Sequence, residues 1–224
     1  MRDNFKLLVF DWDGTLMDSE AQIVTAMNAA IADLGLAQLP HRTISNIIGL
    51  GLHEAINALL PGRDAQFHDQ LTARYRHHFL YSQIAQAPLF DGAEQTLRTL
   101  HAAGYRLAVA TGKGRQGLNR VLTDTGLGEL FHASRCADET SSKPHPRMLL
   151  EIMEQLDVAA DQTLMIGDTE YDLQMARNAG VGSIGVSYGV HDDARLLQLE
   201  PLALLHDIAE LPRWLAVSQA DVHP

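Results

Sequence analysis

Short apolar runs alternate with segments of helical periodicity over most of the chain. Apolar runs predict strands at residues 5–11, 106–111, 163–167, 183–187 and 202–205, and a further short strand is predicted near residues 132–136. Apolar residues three and four positions apart predict helices at residues 92–104, 115–126, 146–157, 170–180 and 207–216. Strands that alternate with helices are typical of a parallel sheet with right-handed crossovers. The pattern therefore predicts an α/β fold.

The segment between the first strand and the rest of this pattern lacks strand alternation. Ser19 and Gln22 have the spacing of a capping box that opens a helix. An apolar stripe follows, made of Ile23, Met27, Ala30, Ile31 and Leu34. Further helices are predicted at residues 43–49, 52–60 and 64–82. We therefore expect a discontinuous α/β core of residues 1–15 and 87–224, interrupted by an all-helical domain of residues 16–86.

Two aspartates one residue apart, Asp11 and Asp13, follow the first apolar strand. Residues two apart in a strand point to the same side, so these carboxylates can converge at the strand's end. There they repel each other unless a cation lies between them. Mg²⁺ is the hard cation suited to few carboxylates plus a phosphate. The structural alternative is a turn, because Asp and the following Gly14 are common turn residues.

Three later segments bring further polar groups to strand ends or helix starts. RLAVATGK ends its strand in Thr111, SSKPHP contains Lys143, and TLMIGDTEYD contains Asp168 and Asp172. Ligands of open α/β sheets bind outside the carboxyl ends of the strands, so these groups can share one site. For Asp172 the alternative is structural, since its spacing from Thr169 also fits a helix N-cap.

These four motifs, taken in order, resemble those of the haloacid dehalogenase superfamily of phosphohydrolases. DWDGT matches the family's DxDGT, Thr111 its lone Thr or Ser, Lys143 its lysine, and GDTEYD its GDxxxD. The resemblance covers nearly the whole chain, and it implies a Rossmann-like doubly wound core with an inserted helical cap. The ending LMDSE, the phrase LFDGAEQTLRTLHAAGYRLAVAT and the spacing to KP look most like the phosphoglycolate phosphatase group. That group often has Asn after the Thr, where this chain has Gly112.

The resemblance implies a Mg²⁺-dependent phosphatase that acts on a small phosphomonoester through an aspartyl-phosphate. The candidate substrate is 2-phosphoglycolate. Asp11 would be the nucleophile, and Asp13 would protonate the leaving group and then deprotonate water. The groups expected to hold the phosphoryl oxygens are Thr111, Lys143 and the amides of Gly112, Asp13 and Gly14. The expected metal ligands are Asp11, the backbone carbonyl of Asp13, Asp168 and, through water, Asp172.

The amino-acid composition limits the classes of binding partner and the compartment that we expect. A net charge of −11 argues against nucleic acid and anionic membranes, and no run approaches the ~20 apolar residues of a membrane span. The single cysteine, Cys136, rules out a disulfide within this sequence and fits a reducing compartment. We expect a cytoplasmic monomer or homodimer whose partner is a small phosphorylated metabolite.

Three alternatives stay open at this point. The segment GKGRQG, residues 112–117, with Asp138 further on, meets the dinucleotide-binding fingerprint and would indicate an NAD-dependent oxidoreductase. It would leave the aspartates and Lys143 unexplained. A receiver-type signalling domain also phosphorylates an Asp on a doubly wound sheet, but it is about half this length and lacks a helical insertion. A sugar-phosphate mutase of the same superfamily would use the same core residues.

Overall fold

A computed structural model describes residues 4–81 and 87–217. Six strands form one sheet in the order β3-β2-β1-β4-β5-β6, and every neighbouring pair is parallel. The strands are β1 (Leu7–Phe10), β2 (Arg106–Thr111), β3 (Phe131–Cys136), β4 (Thr163–Gly167), β5 (Gly182–Val186) and β6 (Ala203–Leu205). The predicted α/β class and its parallel sheet are confirmed.

The burial of the central strand β1 explains why its sequence is a continuous apolar run. All four residues of β1 are buried. Leu8 and Phe10 belong to one hydrophobic cluster, while Leu7 and Val9 belong to the cluster on the other face. A parallel sheet covered by helices on both faces has no solvent-facing side, so polar residues do not alternate along its strands.

Helices cover both faces of this sheet. They are α5 (Ala93–Ala102), α6 (Arg115–Thr125), α7 (Arg147–Leu156), α8 (Glu170–Ala179), α9 (Asp193–Leu197) and α10 (Leu211–Trp214). The first cluster contains Leu97 of α5 and Leu118 of α6, and the second contains Ile152 of α7 and Met175 of α8. Within the described residues, every helix is too short or too polar to cross a bilayer.

The predicted continuous helix at residues 207–216 is wrong. The chain forms a 3₁₀ turn at Ile208–Glu210 and then the short α10. Pro212 lies in the first turn of α10, where its missing N–H costs no hydrogen bond. The proline therefore marks the start of a helix rather than its interior. Helix α9 was not predicted.

The four helices that the structure describes between β1 and α5 are called the helical insertion below. They are α1 (Glu20–Asp33), α2 (His41–Ser45), α3 (Leu52–Leu59) and α4 (Ala65–Tyr81). They share a third hydrophobic cluster that includes Met27, Ile44, Ile56 and Leu71. The predicted end of the last helix, residue 82, lies outside the described residues. The division into two domains at residues 15 and 87 stays a prediction.

Two local predictions in the helical insertion are wrong. The helix predicted at residues 43–49 is α2, which begins at His41 and ends at Ser45, and turns follow it to Gly49. Gly49 has a φ of 101°, which is incompatible with a continuing right-handed helix. Ser19 precedes α1, but its side chain makes no capping hydrogen bond. Its hydroxyl has a different partner, described below.

Candidate active site

Three aspartates meet at the carboxyl end of the sheet. Asp11 follows β1 and Asp168 follows the neighbouring β4, while Asp172 lies in the first turn of α8. All three are fully buried, and one carboxylate oxygen from each lies within 4.8 Å of the others. The structure therefore brings Asp11 together with two aspartates that follow it by more than 150 positions in the sequence.

Hydrogen bonds and closely packed backbone hold the carboxylate of Asp168 in place. Its Oδ1 accepts a hydrogen bond of 2.8 Å from Thr15 Oγ1, and its Oδ2 accepts one of 2.8 Å from the Val190 amide. A Cβ atom added at Gly14 or Gly189 would lie within 2.4 Å of this side chain. Gly14 also has a φ of 83°, so both its conformation and its surroundings require glycine.

Lys143 lies among these acids. Its Nζ is 2.8 Å from Asp11 Oδ1 and 2.6 Å from Asp172 Oδ1, and the lysine side chain is fully buried. Burial alone would lower the pKa of Lys143, but the two carboxylates outweigh it and the pKa is raised. Lys143 is therefore a cation at any physiological pH.

Asp172 serves two purposes at once. Its Oδ2 accepts hydrogen bonds from the amide and the hydroxyl of Thr169, at 3.2 and 2.6 Å, which caps α8. Its Oδ1 faces Lys143. The alternative prediction, that Asp172 takes part in a helix N-cap, is thus correct for Oδ2, while Oδ1 belongs to the acid cluster.

The cluster contains more acidic than basic side chains, so a bound cation would compensate its excess negative charge. Burial raises the pKa of Asp11 well above its ordinary value, and although Lys143 lowers it, Asp172 and Asp168 raise it again. Burial, followed by the charge of Asp172, raises the pKa of Asp168 to about 7. Asp11 Oδ2 is buried and accepts no hydrogen bond from the described residues. Few oxygen ligands with a phosphate nearby suit Mg²⁺, so these residues fit that ion.

The raised pKa of Asp168 predicts a pH dependence of stability. An unfolded Asp has a pKa of about 3.9, so between pH 4 and 7 the folded state binds more protons than the unfolded state. The stabilisation is present at low pH and is lost as the pH rises through 7. In buffer with chelator, we expect the free energy of unfolding of the wild type, relative to Asp168→Asn, to fall by about 2–3 kcal/mol between pH 5 and 8. Urea unfolding at both pH values measures it, and a constant or rising difference would contradict the prediction.

Asp13 faces a different set of groups. Its Oδ1 lies 2.8 Å from Lys113 Nζ and accepts a hydrogen bond from the hydroxyl of Ser19. The Lys113 ammonium also lies 4.6 Å from the centroid of the Phe79 ring, which belongs to α4. Lys113 is not among the residues predicted for the site, although this sequence has only three lysines and Lys113 lies two residues after Thr111.

Thr111 ends β2, next to β1, and Gly112 follows it. Thr111 is fully buried, and its hydroxyl accepts a hydrogen bond of 3.2 Å from the Lys113 amide. A Cβ atom at Gly112 would lie 2.4 Å from the Leu50 carbonyl oxygen and 2.7 Å from that of Gly49. Backbone of the helical insertion therefore occupies the space that a side chain at this position would need.

This close approach predicts the effect of Gly112→Ala. The Leu50 carbonyl must retreat by about 1 Å to reach ordinary contact, and a shift of that size near a reacting centre can lower the rate about 100-fold. We expect kcat/KM to fall by about 10- to 100-fold while the circular dichroism spectrum stays unchanged. Gly128→Ala is the control, because a Cβ there meets only Leu122 at 3.7 Å. Equal activity of the two variants would contradict the prediction.

The loop of residues 46–51 is bound to the core at both ends. The Asn46 carbonyl accepts a hydrogen bond of 2.9 Å from the Tyr171 hydroxyl, and its side-chain oxygen accepts one from Arg195. The Gly51 amide donates to Ser142 Oγ at 2.7 Å, next to Lys143. A cavity of about 490 Å³ remains between the helical insertion and the core, and Asp11 and Asp13 line it.

The dinucleotide fingerprint has a structural explanation. Asp138 accepts hydrogen bonds of 2.9 and 3.2 Å from the Arg115 amide, so it occupies the N-terminus of α6, where a pyrophosphate would bind.

Cys136 is buried, and burial raises the pKa of its thiol to about 12, so it is not a reactive thiolate.

Comparison with known proteins agrees with this site. The family model described as "Haloacid dehalogenase-like hydrolase" matches residues 8–186. The chain belongs to this family. It is 37% identical over 213 residues to the "Probable phosphatase IndB" of Dickeya dadantii, covering 92% of this chain and 91% of the relative. It is 33% identical over 204 residues to the phosphoglycolate phosphatase of Colwellia psychrerythraea, covering 88% and 90%.

Solved structures of this hydrolase family have the same fold. The crystal structure of a predicted phosphatase from Clostridium acetobutylicum matches with a TM-score of 0.86 at 25% identity, covering 95% of this chain and 98% of that one. The predicted resemblance to the haloacid dehalogenase-like hydrolases, and within them to the phosphoglycolate phosphatase group, is confirmed. The chain is therefore an enzyme of this hydrolase family.

Proposed function

We propose that this hydrolase cleaves a small phosphomonoester in a Mg²⁺-dependent reaction that passes through a phosphoryl group on Asp11. The observation that supports it best is the buried cluster of Asp11, Asp168, Asp172 and Lys143. In this cluster Asp11 keeps a carboxylate oxygen without a hydrogen-bond partner among the described residues. A carboxylate can act as a nucleophile and divide a difficult hydrolysis into two displacements.

Lys143 orients this nucleophile and compensates for charge. Its ammonium holds one oxygen of Asp11 at 2.8 Å, which would leave the other oxygen free to attack the substrate's phosphorus. The same ammonium stabilises the negative charge that grows on the phosphoryl oxygens during transfer. Thr111 and the amide of Gly112, at the end of the adjacent strand, would bind these oxygens from the other side. The amides of Asp13 and Gly14 would complete the set of donors.

Asp11, the backbone carbonyl of Asp13, Asp168 and, through water, Asp172 would hold the Mg²⁺. When bound, Mg²⁺ supplies the positive charge that keeps Asp11 ionised and neutralises phosphoryl oxygens. Thr15 and Val190 support this role, because their hydrogen bonds hold the Asp168 carboxylate in place before any ion binds.

Asp13 would move the proton in both steps. In the first step the Asp11 oxygen forms a bond to phosphorus as the ester P–O bond breaks, and the leaving alkoxide takes a proton from Asp13. In the second step Asp13 takes a proton from water as the water oxygen attacks phosphorus and frees Asp11. Ser19 and Lys113 hold the Asp13 carboxylate at the cavity that would receive the leaving group.

Removal of the metal tests this proposal directly. We expect chelation to lower phosphate release from phosphomonoesters to background, and Mg²⁺ to restore it. Mg²⁺ should also raise the melting temperature of the wild type, because it binds only the folded cluster. Asp168→Asn should lose both responses, whereas Asp161→Asn, at an exposed position, should keep them. Full activity in chelator would overturn the metal dependence.

Inorganic phosphate is the readout that separates hydrolysis from its alternative. A sugar-phosphate mutase would convert one sugar phosphate into another with little phosphate release, while a phosphatase releases one phosphate per turnover. Relatives at 33% and 32% identity carry the name phosphoglycolate phosphatase, so 2-phosphoglycolate belongs in the first substrate series.

A further inference from the structure

The cavity above Asp11 and Asp13 has mainly apolar walls. Its volume of about 490 Å³ lies within the range of pockets that enclose whole small-molecule ligands. The apolar side chains that shape it include Ile23, Met27, Ile48, Leu52, Tyr75 and Phe79. We infer that the preferred substrate is a phosphomonoester whose leaving group is uncharged, apolar and larger than two carbons, such as an aryl-alkyl alcohol. This inference rests on the proposed function and specifies its substrate class.

The helix α4 contributes an aromatic wall. The rings of Tyr75 and Phe79, one helical turn apart, have centroids 5.6 Å apart and planes inclined by 27°. Burial raises the pKa of Tyr75, and the nearby charge of Asp13 raises it further, so the phenol stays neutral. Neutral aromatic and aliphatic walls favour a leaving group that buries carbon, because such contacts gain from the removal of apolar surface from water.

The charges on the cavity lining disfavour an acidic leaving group. Four carboxylates line it, those of Asp11, Asp13, Glu54 and Asp138. Among the described lining residues the lysine and arginine side chains are Lys113, which is paired with Asp13, and Arg76, which is exposed. The second carboxylate of 2-phosphoglycolate would therefore enter a cavity rich in negative charge, where the exposed Arg76 and His53 are the described lining groups left to pair with it.

A matched series of alkyl esters tests the inference. The probes are 2-phosphoglycolate, ethyl phosphate, butyl phosphate and 2-phenylethyl phosphate, all of which release an alcohol. We expect kcat/KM, measured as phosphate release with Mg²⁺, to rise from the ethyl to the 2-phenylethyl ester. The 2-phenylethyl ester should exceed 2-phosphoglycolate by at least about tenfold, the scale on which apolar pockets discriminate. A preference for 2-phosphoglycolate, or equal values for all four, would overturn it.

Two leucines of the same helical segment provide a variant and its control. Leu52 begins α3 and lines the cavity, while Leu60 follows the end of α3, is equally half-buried, and lies outside the lining. Leu52→Ala should lower kcat/KM for 2-phenylethyl phosphate about tenfold and leave ethyl phosphate within about twofold. Leu60→Ala should leave their ratio unchanged. An equal loss for both esters in Leu52→Ala would mean that Leu52 is structural, and would count against the inference.

Binding to the Asp11→Asn variant tests the substrate class separately from the proposed phosphatase reaction. By calorimetry, 2-phenylethyl phosphate should bind this variant more tightly than 2-phosphoglycolate. Tighter binding of 2-phosphoglycolate would overturn the substrate class while the proposed phosphatase reaction stands. If the wild type releases phosphate from none of the four esters, the proposed function fails and the inference fails with it.

Discussion

Asp11→Asn is expected to lower phosphatase turnover by about 10⁴- to 10⁶-fold, the scale seen when a hydrolase loses its nucleophile. The amide is nearly isosteric with the carboxylate but cannot attack phosphorus. The variant should also fold normally, because the oxygen of the amide can still accept a hydrogen bond from Lys143, which keeps its ion pair with Asp172. Steady-state phosphate release and a thermal melt measure the two halves of this prediction.

Asp18→Asn is the matched control for this variant. Asp18 lies seven positions further along the chain, is exposed, and lines neither the cavity nor the acid cluster. Its substitution should leave turnover unchanged. Turnover of Asp11→Asn within tenfold of the wild type would refute Asp11 as the nucleophile, whatever the other residues of the site do.

Lys143→Met is the second change for which we expect a large effect. It removes the cation that contacts both Asp11 and Asp172 and leaves three buried carboxylates facing one another. Breaking a buried ion pair in this way typically costs about 3–5 kcal/mol of stability. We expect a loss of that size in chelator at pH 8, together with a fall in kcat of at least about 10²-fold, since the phosphoryl oxygens lose a charged donor.

Lys6→Met provides the comparison, because Lys6 is an exposed lysine on the way into β1. It should change neither stability nor kcat measurably. Mg²⁺ should recover part of the stability of Lys143→Met but little of its turnover, because the ion compensates for charge and does not replace the ammonium at Asp11. A Lys143→Met protein as stable as the wild type in chelator would contradict the electrostatic account of the cluster.

The central part of this site was predictable because residues of suitable chemistry lie at the ends of strands that meet at one edge of the sheet. Asp11, Thr111 and Asp168 each follow or end an apolar run, and parallel strands bring such positions to one edge of the sheet. The strands β1, β2 and β4 were predictable for the same reason, since a buried parallel strand is a bounded apolar run. Local patterns of this kind need no knowledge of distant contacts.

What could not be predicted depends on contacts between distant segments. The motif at Ser19 indicates a capping box, but its hydroxyl donates to Asp13, because the turn after β1 brings that carboxylate close. The Val190 amide, which fixes Asp168, belongs to a loop without any motif. The requirement for glycine at position 112 is likewise visible only in three dimensions, because the carbonyl groups of residues 49–50 pack against it.

The most direct test of the central claim is to trap the covalent intermediate. Wild-type protein with Mg²⁺ and a hydrolysed phosphomonoester would be quenched in acid within the first turnover, digested, and analysed by mass spectrometry. Our account predicts one phosphoryl group on the peptide containing residues 7–20, assigned to Asp11, and none in Asp11→Asn. Rapid turnover without any phosphorylated peptide, or a phosphoryl group on another residue, would contradict it.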